Sequence, residues 1–324
     1  MLSRNTDLAL NRDRKELDCF IVKIAVIINP RAGSVRDLRG LLRQMASLKP
    51  YRRYVTRRKG AARRYAREAL REGCDYIISA GGDGTLNEVV NGIGSAKGVK
   101  IGVLPLGTGN DFARCLNLPP SVDENLVILR VGRTKAIDLV RVTADRVRYF
   151  VNVSAGGFSG VVDERLTPGM KRTWGPLAYL RSAAAAFPSL RAYRTSIRFE
   201  SREPRFFDLY NVVIANGIYV AGGWPIAPHA NPSDGLLDVI LVRKAAAAQL
   251  ALLGAQIMLR KHLDSKAVVY RRVRSLSINS KPGMWFNVDG ELVGNEPARF
   301  EVLPRALQFV SGLSHGSPIR RVPR

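Results

Sequence analysis

The chain has 324 residues, 46% hydrophobic and 24% charged, a composition typical of globular proteins rather than disordered or fibrous ones. This length is sufficient for two domains, each with its own core. Lys and Arg number 51 against 27 Asp and Glu, a formal net charge of +24. A surface this basic attracts the phosphate of a nucleotide, a nucleic acid or an anionic membrane, and arginine-rich helices that are merely solvated are the alternative.

The cysteines and the apolar segments of the sequence indicate in which cell compartment the protein is expected. Cys19, Cys74 and Cys115 form no CxxC pair, which disfavours a disulfide framework and a structural zinc site. The first residues stay polar as far as Cys19, without the apolar core of a signal peptide. The longest nearly uncharged apolar run, from Ala245 to Leu259, is shorter than the ~20 residues of a membrane-spanning helix. We therefore expect a cytoplasmic protein whose membrane contact is peripheral.

The first part of the chain alternates short apolar runs with helical patterns, and each run ends in a turn containing Gly or Asn. This alternation is typical of α/β proteins. After a polar N-terminal extension over residues 1–22, we predict an α/β ATP-binding domain over residues 23–137. Ligands bind at the carboxyl ends of the strands in open α/β sheets, so the loops after three strands should lie close together. The predicted strands are residues 24–28, 76–79 and 101–104, and their loops are residues 29–34, 81–85 and 106–111.

The pattern changes after about Asp138 to β-branched and aromatic runs with little helix between them. We predict a larger, mostly antiparallel β domain over residues 138–304, with helices at residues 175–186 and 245–261. Residues 299–310 are predicted as a final strand or a return segment, and the C-terminal segment 305–324 is expected to return to the first domain. The predicted strands are residues 148–153, 195–199, 209–214, 236–242, 275–278 and 285–288.

The segment from Gly81 to Thr85 places three glycines around one carboxylate at a strand-to-helix turn. Glycines let the backbone approach a polyphosphate, and the amides of the following helix can donate to it. Bare phosphate would repel Asp83, so this carboxylate indicates a Mg²⁺ ion between the two, held through water. A glycine-rich turn with Asp83 as a helix cap is the alternative. The sequence contains no P-loop and no GxGxxG after the first strand, which disfavours P-loop enzymes and dinucleotide dehydrogenases.

Two further carboxylate segments lie in the second domain. Asp289 and Glu291 point to the same side if the preceding strand continues through them, whereas an Asp-Gly hairpin turn is the alternative. Residues 231–236 have the pattern of a tight loop around a cation, and a turn with an Asx hydrogen bond is equally compatible. Neither a histidine base nor a zinc site is predicted, because the three histidines do not cluster; they are His229, His262 and His315.

Three motifs together are similar to those of one known family. They are Asn-Pro-x-x-Gly at residues 29–33, Gly-Gly-Asp-Gly-Thr-Leu-Asn-Glu at residues 81–88, and Leu-Pro-Leu-Gly-Thr-Gly-Asn-Asp-Phe-Ala-Arg at residues 104–114. The chain resembles the diacylglycerol kinase catalytic-domain family, particularly the bacterial soluble lipid kinases. Gly-Gly-Asp-Gly-Thr alone is shared with NAD kinases, and the third motif favours lipid kinases. The resemblance implies the two-domain architecture of diacylglycerol and NAD kinases, and it continues through residues 152–158, 175–179, 211–217, 228–238 and 288–291.

The resemblance also implies which residues bind ATP and the catalytic Mg²⁺. Acidic residues that surround this Mg²⁺ through water match Asp83, Asp138 and Glu291. Glu291 matches the proton acceptor of the bacterial enzymes, and Asp83 is the rival base that the sphingosine-kinase relatives suggest. The implied ATP-binding residues are Asn29, Pro30, Arg31, Ala32, Gly33, Thr56, Gly81, Gly82, Asp83, Gly84, Thr85, Leu86, Asn87 and Thr108.

A second, structural Mg²⁺ is also implied by the resemblance. Its ligands would be the Asp234 side chain and the carbonyls of Asn231 and Leu236. The reaction implied is transfer of the γ-phosphate of ATP to a lipid hydroxyl, with diacylglycerol giving phosphatidic acid as the leading choice. A soluble-metabolite kinase of the NAD kinase type is the alternative.

Arg63, Arg67 and Arg71 recur every four residues and form a one-sided basic face, here called the basic stripe. Attraction of roughly 1 kcal/mol per Lys or Arg near an anionic bilayer would hold a lipid kinase at its substrate. A solvated helix face is the alternative. A non-catalytic nucleic-acid-binding protein is disfavoured because neither an RNP-type pattern nor a helix-turn-helix is found, so no nucleic-acid partner is expected. A homodimer remains an open arrangement.

Overall fold

The computed structural model describes residues 22–157, 191–288, 291–294 and 297–312, without the side chains of Met258 and Glu291. The N-terminal extension, the predicted helix over residues 175–186, Asp289 and the last part of the C-terminal segment lie outside the described residues. No helix within the described residues is long and apolar enough to cross a bilayer.

The first domain is a parallel sheet in the order β4-β3-β1-β2 with helices packed on both faces. Ala25 to Ile28 are fully buried, as expected of a parallel strand covered on both sides. Alternate residues of this strand enter two separate cores. The elements are β1 (Ile24–Ile28), α1 (Leu38–Met45), β2 (Arg52–Val55), α2 (Ala61–Arg71), β3 (Tyr76–Gly81), α3 (Asp83–Ile93), β4 (Lys100–Pro105), α4 (Asp111–Cys115) and α5 (Val122–Val131).

The second domain is built of antiparallel pairs around one large apolar core. Its first elements are β5 (Arg133–Thr143), β6 (Val147–Phe150), β7 (Val153–Gly157), β8 (Tyr193–Phe199), β9 (Arg205–Ala215), β10 (Tyr219–Val220) and β11 (Trp224–Pro225). They are followed by β12 (Leu237–Arg243), α6 (Ala247–Met258), β13 (Val268–Val273), β14 (Ser275–Lys281), β15 (Phe286–Val288), β16 (Glu291–Val293) and β17 (Ala298–Ser311).

The last strand joins the two domains. β17 pairs with β14 and β5 in the second domain, and then Gln308 and Phe309 pair with Lys100 and Ile101 of β4. Phe309 is fully buried in a core of the first domain. Residues 299–310 are therefore both a strand and a return segment. The strand β5 runs through Asp138, so the predicted domain boundary lies within a strand, and it stays a prediction.

One predicted strand is wrong in its extent. Residues 148–153 were expected to form a single strand, but β6 ends at Phe150 and β7 begins at Val153. Asn152 interrupts the run, because its backbone carbonyl accepts from the amides of Asn216 and Gly217, each at 2.8 Å. Its side chain donates to the Tyr219 carbonyl at 3.0 Å. Asn152 thus hydrogen-bonds to the segment after β9 and does not pair as a strand residue between β6 and β7.

Candidate functional site

The loops after β1, β3 and β4 meet at the carboxyl end of the parallel sheet. The amide of Asn29 donates to the Ala80 carbonyl at 2.9 Å, and the amide of Leu106 donates to the Gly81 carbonyl at 2.9 Å. Ser34 donates to the Leu106 carbonyl from both its amide, at 3.0 Å, and its hydroxyl, at 2.8 Å. The structure therefore brings together the three loops that the strand pattern predicted.

Glycines let these loops touch each other. A Cβ on Gly33 would lie 2.7 Å from Oγ1 of Thr108, and a Cβ on Gly107 would lie 2.5 Å from Cα of Gly82. Both approaches are too close for any side chain at those positions. By contrast, a Cβ on Gly84 would meet nothing within 4 Å. Loop packing explains Gly33, Gly82 and Gly107, whereas the open space at Gly84 is where a ligand can approach the backbone.

The other predicted ATP-binding residues either hold the loops together or pack in the core. Asn29 donates from Nδ2 to Oγ1 of Thr85 at 3.2 Å and accepts from the Arg31 amide at 3.0 Å, so it fixes both loops. Thr56 follows β2 and donates its amide to the Ile28 carbonyl at 2.8 Å, beside that same loop. Leu86 is 3% exposed within the first core, so its side chain has a packing role. Pro30 and Ala32 lie in the turn after β1.

Asp83 and Asp111 approach each other across Gly109. A Cβ on Gly109 would lie 3.1 Å from Oδ2 of Asp83 and 3.5 Å from Oδ2 of Asp111. Asp83 is the first residue of α3, yet its carboxylate accepts from the Phe112 amide of α4 at 3.2 Å. No side-chain cap of α3 is formed within the described residues, which does not support the helix-cap alternative. The motif that contains Asp111 was recognised from the sequence, but no role was predicted for this residue.

Asp111 also links the two domains. Its carboxylate accepts from the amides of Gly222 at 3.2 Å and Gly223 at 2.6 Å, in the loop between β10 and β11. Burial, with a further contribution from the Asp83 charge, raises the pKa of Asp111 to about 6, although the two glycine amides and the Arg114 charge oppose the shift. A divalent cation would relieve this repulsion. The oxygens of two neighbouring carboxylates fit Mg²⁺, which keeps several waters when proteins bind it.

The protein supplies only part of such a coordination shell. Among the described residues, no group of three or more His, Cys, Asp or Glu is placed to hold a metal. Water and phosphate oxygens would complete the shell at Asp83, consistent with contact through water. The catalytic Mg²⁺ site stays a prediction that the arrangement of Asp83 and Asp111 supports.

Asp138 lies in the second domain and forms no hydrogen bond to Asp83 within the described residues. It is fully buried in β5, and its carboxylate accepts from the amides of Gly235 and Arg305, each at 2.7 Å. Burial raises its pKa, and these two hydrogen bonds oppose the shift. Within the described residues its hydrogen bonds hold the 231–236 loop and the part of β17 around Arg305, where the pairing with β5 shifts register, and none reaches Asp83. The expected role of Asp138 at the catalytic Mg²⁺ therefore stays a prediction without a direct contact behind it.

In the loop over residues 231–236, the guanidinium of Arg272 occupies the place of a cation beside Asp234. Asp234 accepts from the Leu236 amide at 3.0 Å, which is the Asx-type bond of the alternative interpretation. Its other carboxylate oxygen forms an ion pair with Arg272, and the Arg272 Nε lies 3.8 Å from Oδ2 of Asp238. The amides of Ser233 and Asp234 donate to the Asn231 carbonyl. The donor atoms fit Mg²⁺, but the ion would compete with Arg272, so the structural Mg²⁺ stays a prediction.

The strands on either side of the Asp289 segment pair with each other, which favours the hairpin alternative over a strand that continues through Asp289 and Glu291. Val288 of β15 pairs directly with Glu291 of the antiparallel β16. The two residues between them, and the Glu291 side chain, lie outside the described residues. Asn87 of α3 donates from Nδ2 to the Val288 carbonyl at 3.3 Å. This contact places the end of the hairpin strand against the helix that begins at Asp83.

Comparison with known proteins identifies two matching families. The diacylglycerol kinase catalytic domain matches residues 23–142, and the YegS C-terminal NAD kinase beta sandwich-like domain matches residues 152–311. A curated diacylglycerol kinase from Staphylococcus haemolyticus (strain JCSC1435) is 34% identical over 258 residues, which cover 79% of this chain and 76% of the relative.

Solved structures show the same two-domain fold. A diacylglycerol kinase from Bacillus anthracis str. Sterne has a TM-score of 0.68 at 20% identity, with 90% of this chain and 97% of that chain covered. An NAD kinase from Archaeoglobus fulgidus in complex with ATP has a TM-score of 0.52 at 15% identity, with 89% and 93% covered. The predicted fold class is confirmed, and kinases of this kind use ATP as donor with a divalent metal. The chain belongs to the diacylglycerol kinase catalytic-domain family, a family of lipid kinases.

Proposed function

We propose that the chain is an ATP-dependent lipid kinase that transfers the γ-phosphate of ATP to the free hydroxyl of diacylglycerol and so makes phosphatidic acid. The meeting of Asp83 and Asp111 at Gly109, where three glycine-containing loops converge, supports the proposal most directly. Paired carboxylates favour a divalent cation, and open glycine backbone favours a polyphosphate. The similarity to a curated diacylglycerol kinase supports the choice of lipid.

The three converging loops supply the ATP contacts in this proposal. The backbone around Gly84 and the loop over residues 29–33 hold the phosphate oxygens, with Thr56 and Thr108 beside the nucleotide. Asp83 holds the catalytic Mg²⁺ through water. When bound, Mg²⁺ supplies positive charge that offsets the charge of the phosphate oxygens during transfer.

Glu291 is the proposed proton acceptor. An alkyl alcohol is a poor acid, so the carboxylate orients the lipid hydroxyl and takes its proton late in a loose transition state. The hydrogen bond from Asn87 to the Val288 carbonyl supports this assignment, because it ties the β15–β16 hairpin to α3. Asp83, which matches the residue that the sphingosine-kinase relatives suggest, is the rival base.

A lipid substrate requires contact with a bilayer, which in this proposal is peripheral. The basic stripe on α2 is one candidate surface: Arg67 and Arg71 are exposed, and Arg63 is half-buried. Anionic lipid headgroups would attract these side chains, and salt would weaken the attraction. A homodimer is a further prediction, which sedimentation of the purified protein tests directly.

A substrate panel with radiolabelled ATP tests the proposed function. The panel contains diacylglycerol, phosphatidylglycerol, a sphingoid base, ceramide, an undecaprenyl-like alcohol and NAD, each with Mg²⁺ or with EDTA. Label is expected in diacylglycerol, and EDTA should abolish it. Label only in another lipid would overturn the choice of diacylglycerol while keeping a lipid kinase. Label only in NAD would replace the proposal with the NAD kinase alternative.

A further inference from the structure

Helix α6 of the second domain is unusual in composition. From Ala245 to Leu259 the sequence contains no charged residue, and its only polar side chains are Gln249 and Gln256. A surface helix of a water-exposed protein normally has a polar face opposite its apolar one. A helix that is apolar on all sides is normally buried or in contact with lipid.

The side of α6 that faces outward is apolar and exposed. On the inward side Leu253 is 6% exposed, and Leu250 and Ile257 are half-buried. On the outward side Leu252 is 58% exposed, and Leu259, just past the helix end, is 69% exposed. The exposed residues recur at helical spacing and form what is here called the apolar stripe, which comprises Ala248, Ala251, Leu252, Ala255 and Leu259.

Basic residues flank the apolar stripe at both ends. Arg243 and Lys244 precede the helix, Arg260 and Lys261 follow it, and all four are exposed. Within the described part of the chain, none of the four forms an ion pair with a carboxylate, and the guanidinium of Arg243 donates to a backbone carbonyl. Lys and Arg side chains in this position can extend to lipid headgroups while the residues between them contact acyl chains.

The charge arrangement favours a bilayer over a second copy of the chain. Because both ends of the helix are positive, pairing two copies along this stripe opposes like charges in either a parallel or an antiparallel arrangement. An anionic membrane surface satisfies both ends at once. The 12 residues of α6 are too few to span a bilayer, so the helix would lie along the surface.

We propose that α6 docks the protein on anionic membranes, with the apolar stripe at the boundary of headgroups and acyl chains and the flanking cations among the headgroups. The inference rests on the proposed function in one respect, that the substrate is a bilayer lipid. It assigns the docking surface to the second domain rather than to the basic stripe of α2.

Vesicle sedimentation without ATP tests the docking surface. The probes are vesicles of phosphatidylcholine alone and of phosphatidylcholine with phosphatidylglycerol. The double variant Leu252→Gln, Leu259→Gln is expected to bind the anionic vesicles at least about tenfold more weakly than wild type, because two large apolar side chains no longer leave water. The control Val131→Gln changes an apolar residue that is 68% exposed at the end of α5, and it should bind like wild type.

Further measurements separate docking from folding. The double variant should keep its melting temperature and its activity on a water-dispersed short-chain lipid. Leu252→Trp provides a second readout. Vesicles that contain brominated phosphatidylglycerol should quench a larger fraction of the tryptophan fluorescence in this variant than in wild type. The proposal is overturned if the double variant binds vesicles as tightly as wild type. It is also overturned if Val131→Gln weakens binding as much as the double variant does, or if Leu252→Trp shows no more quenching than wild type.

Two outcomes distinguish this inference from the proposed function. If replacing Arg63, Arg67 and Arg71 by Gln abolishes vesicle binding while the double variant binds normally, the basic stripe is the docking surface and the inference is wrong. If vesicle binding depends on Leu252 and Leu259 but no lipid of the panel is phosphorylated, the docking surface is supported and the proposed function is overturned.

Discussion

Two carboxylate clusters in this molecule differ in where their positive charge comes from. At the second-domain cluster, Arg272 forms an ion pair with Asp234 and lies close to Asp238, so the protein provides the cation. At the other cluster, the carboxylates of Asp83 and Asp111 flank Gly109, and Arg114 is the positive charge that lowers the pKa of Asp111. The pKa of Asp111 is raised to about 6 as a result of burial and of the neighbouring carboxylate.

The difference supports the proposal that the cluster of Asp83 and Asp111 binds a cation from outside, whereas Arg272 supplies the positive charge at Asp234. Arg272 forms an ion pair that holds the loop at Asp234, whereas at Asp111 the Arg114 charge lowers the pKa without offsetting burial and the Asp83 charge. A divalent cation would relieve the repulsion that remains. Such a perturbed group beside glycine loops is typical of a site that binds a metal with a phosphate ligand. The two clusters should therefore respond differently to substitution, to Mg²⁺ and to pH.

The largest expected effect is on turnover. Asp83→Ala should leave no measurable phosphoryl transfer in a folded protein, because the site loses its acceptor for Mg²⁺-bound water. Asp234→Ala, in the other cluster, is the matched control and should retain most of the wild-type kcat. The measurement is kcat with radiolabelled ATP, with circular dichroism as the check on folding. If Asp83→Ala keeps more than roughly a tenth of wild-type kcat, the assigned role is wrong.

The β15–β16 hairpin provides the second prediction. Glu291→Gln keeps the shape but removes the charge, so kcat should fall by the ~10²–10⁴-fold typical of a missing general base, with ATP binding nearly intact. Asp289→Asn should cost less, since Glu291 and not Asp289 is the proposed proton acceptor. A reversed order would move the base to Asp289. Activity in both variants, with Asp83 alone essential, would make Asp83 the base.

Local sequence patterns predicted much of this fold. The runs at residues 24–28, 76–81 and 100–105 form strands because they are mostly apolar and almost entirely buried, and their loops meet because parallel strands end at one sheet edge. The break at Asn152 was missed because its partners, Asn216 and Gly217, are distant in sequence and give no local signal. The hairpin at residues 288–291 was weighed only as an alternative, although its Asp-Gly pair is a strong turn signal.

The site was predictable only in part for the same reason. The glycine loops carry their own local motif, but Asp111 acquires its environment from Gly222 and Gly223, more than 100 residues away. The sequence signal that could have identified Asp111 as a site residue was its position in the loop over residues 106–111. Likewise, Arg272 reaches Asp234 and Asp238 because β12 and β13 pair in a register that sets Asp238 opposite Arg272. Only the sheet register creates that ion pair, and composition does not reveal it.

The third prediction tests whether Arg272 and Mg²⁺ compete at Asp234. In EDTA, Arg272→Gln should lower the melting temperature by about 2–4 °C, the range for a loss of ~1 kcal/mol from a partly exposed pair. Mg²⁺ should then raise the melting temperature of this variant more than that of wild type, because a metal bound only to the folded state stabilises it. The neighbouring Arg271→Gln is the control and should respond like wild type. No Mg²⁺ response in Arg272→Gln would show that the loop holds no structural Mg²⁺.

The fourth prediction concerns the pH dependence of stability that Asp111 contributes. Because its pKa is raised from 3.8 to about 6 on folding, the folded state holds a proton that the unfolded state releases between these values. Its contribution to the free energy of unfolding therefore falls as pH rises from about 4 to 6 and is constant above that. In EDTA, the stability difference between wild type and Asp111→Asn should decrease over this window, on the order of 1 kcal/mol per pH unit. Urea unfolding at several pH values measures it, with Asp123→Asn at an exposed position of α5 as the control for removal of a surface carboxylate. A difference that stays flat from pH 4 to 6 would mean that neither burial nor the Asp83 charge raises the pKa of Asp111, and the contrast between the two clusters would then rest on Arg272 alone.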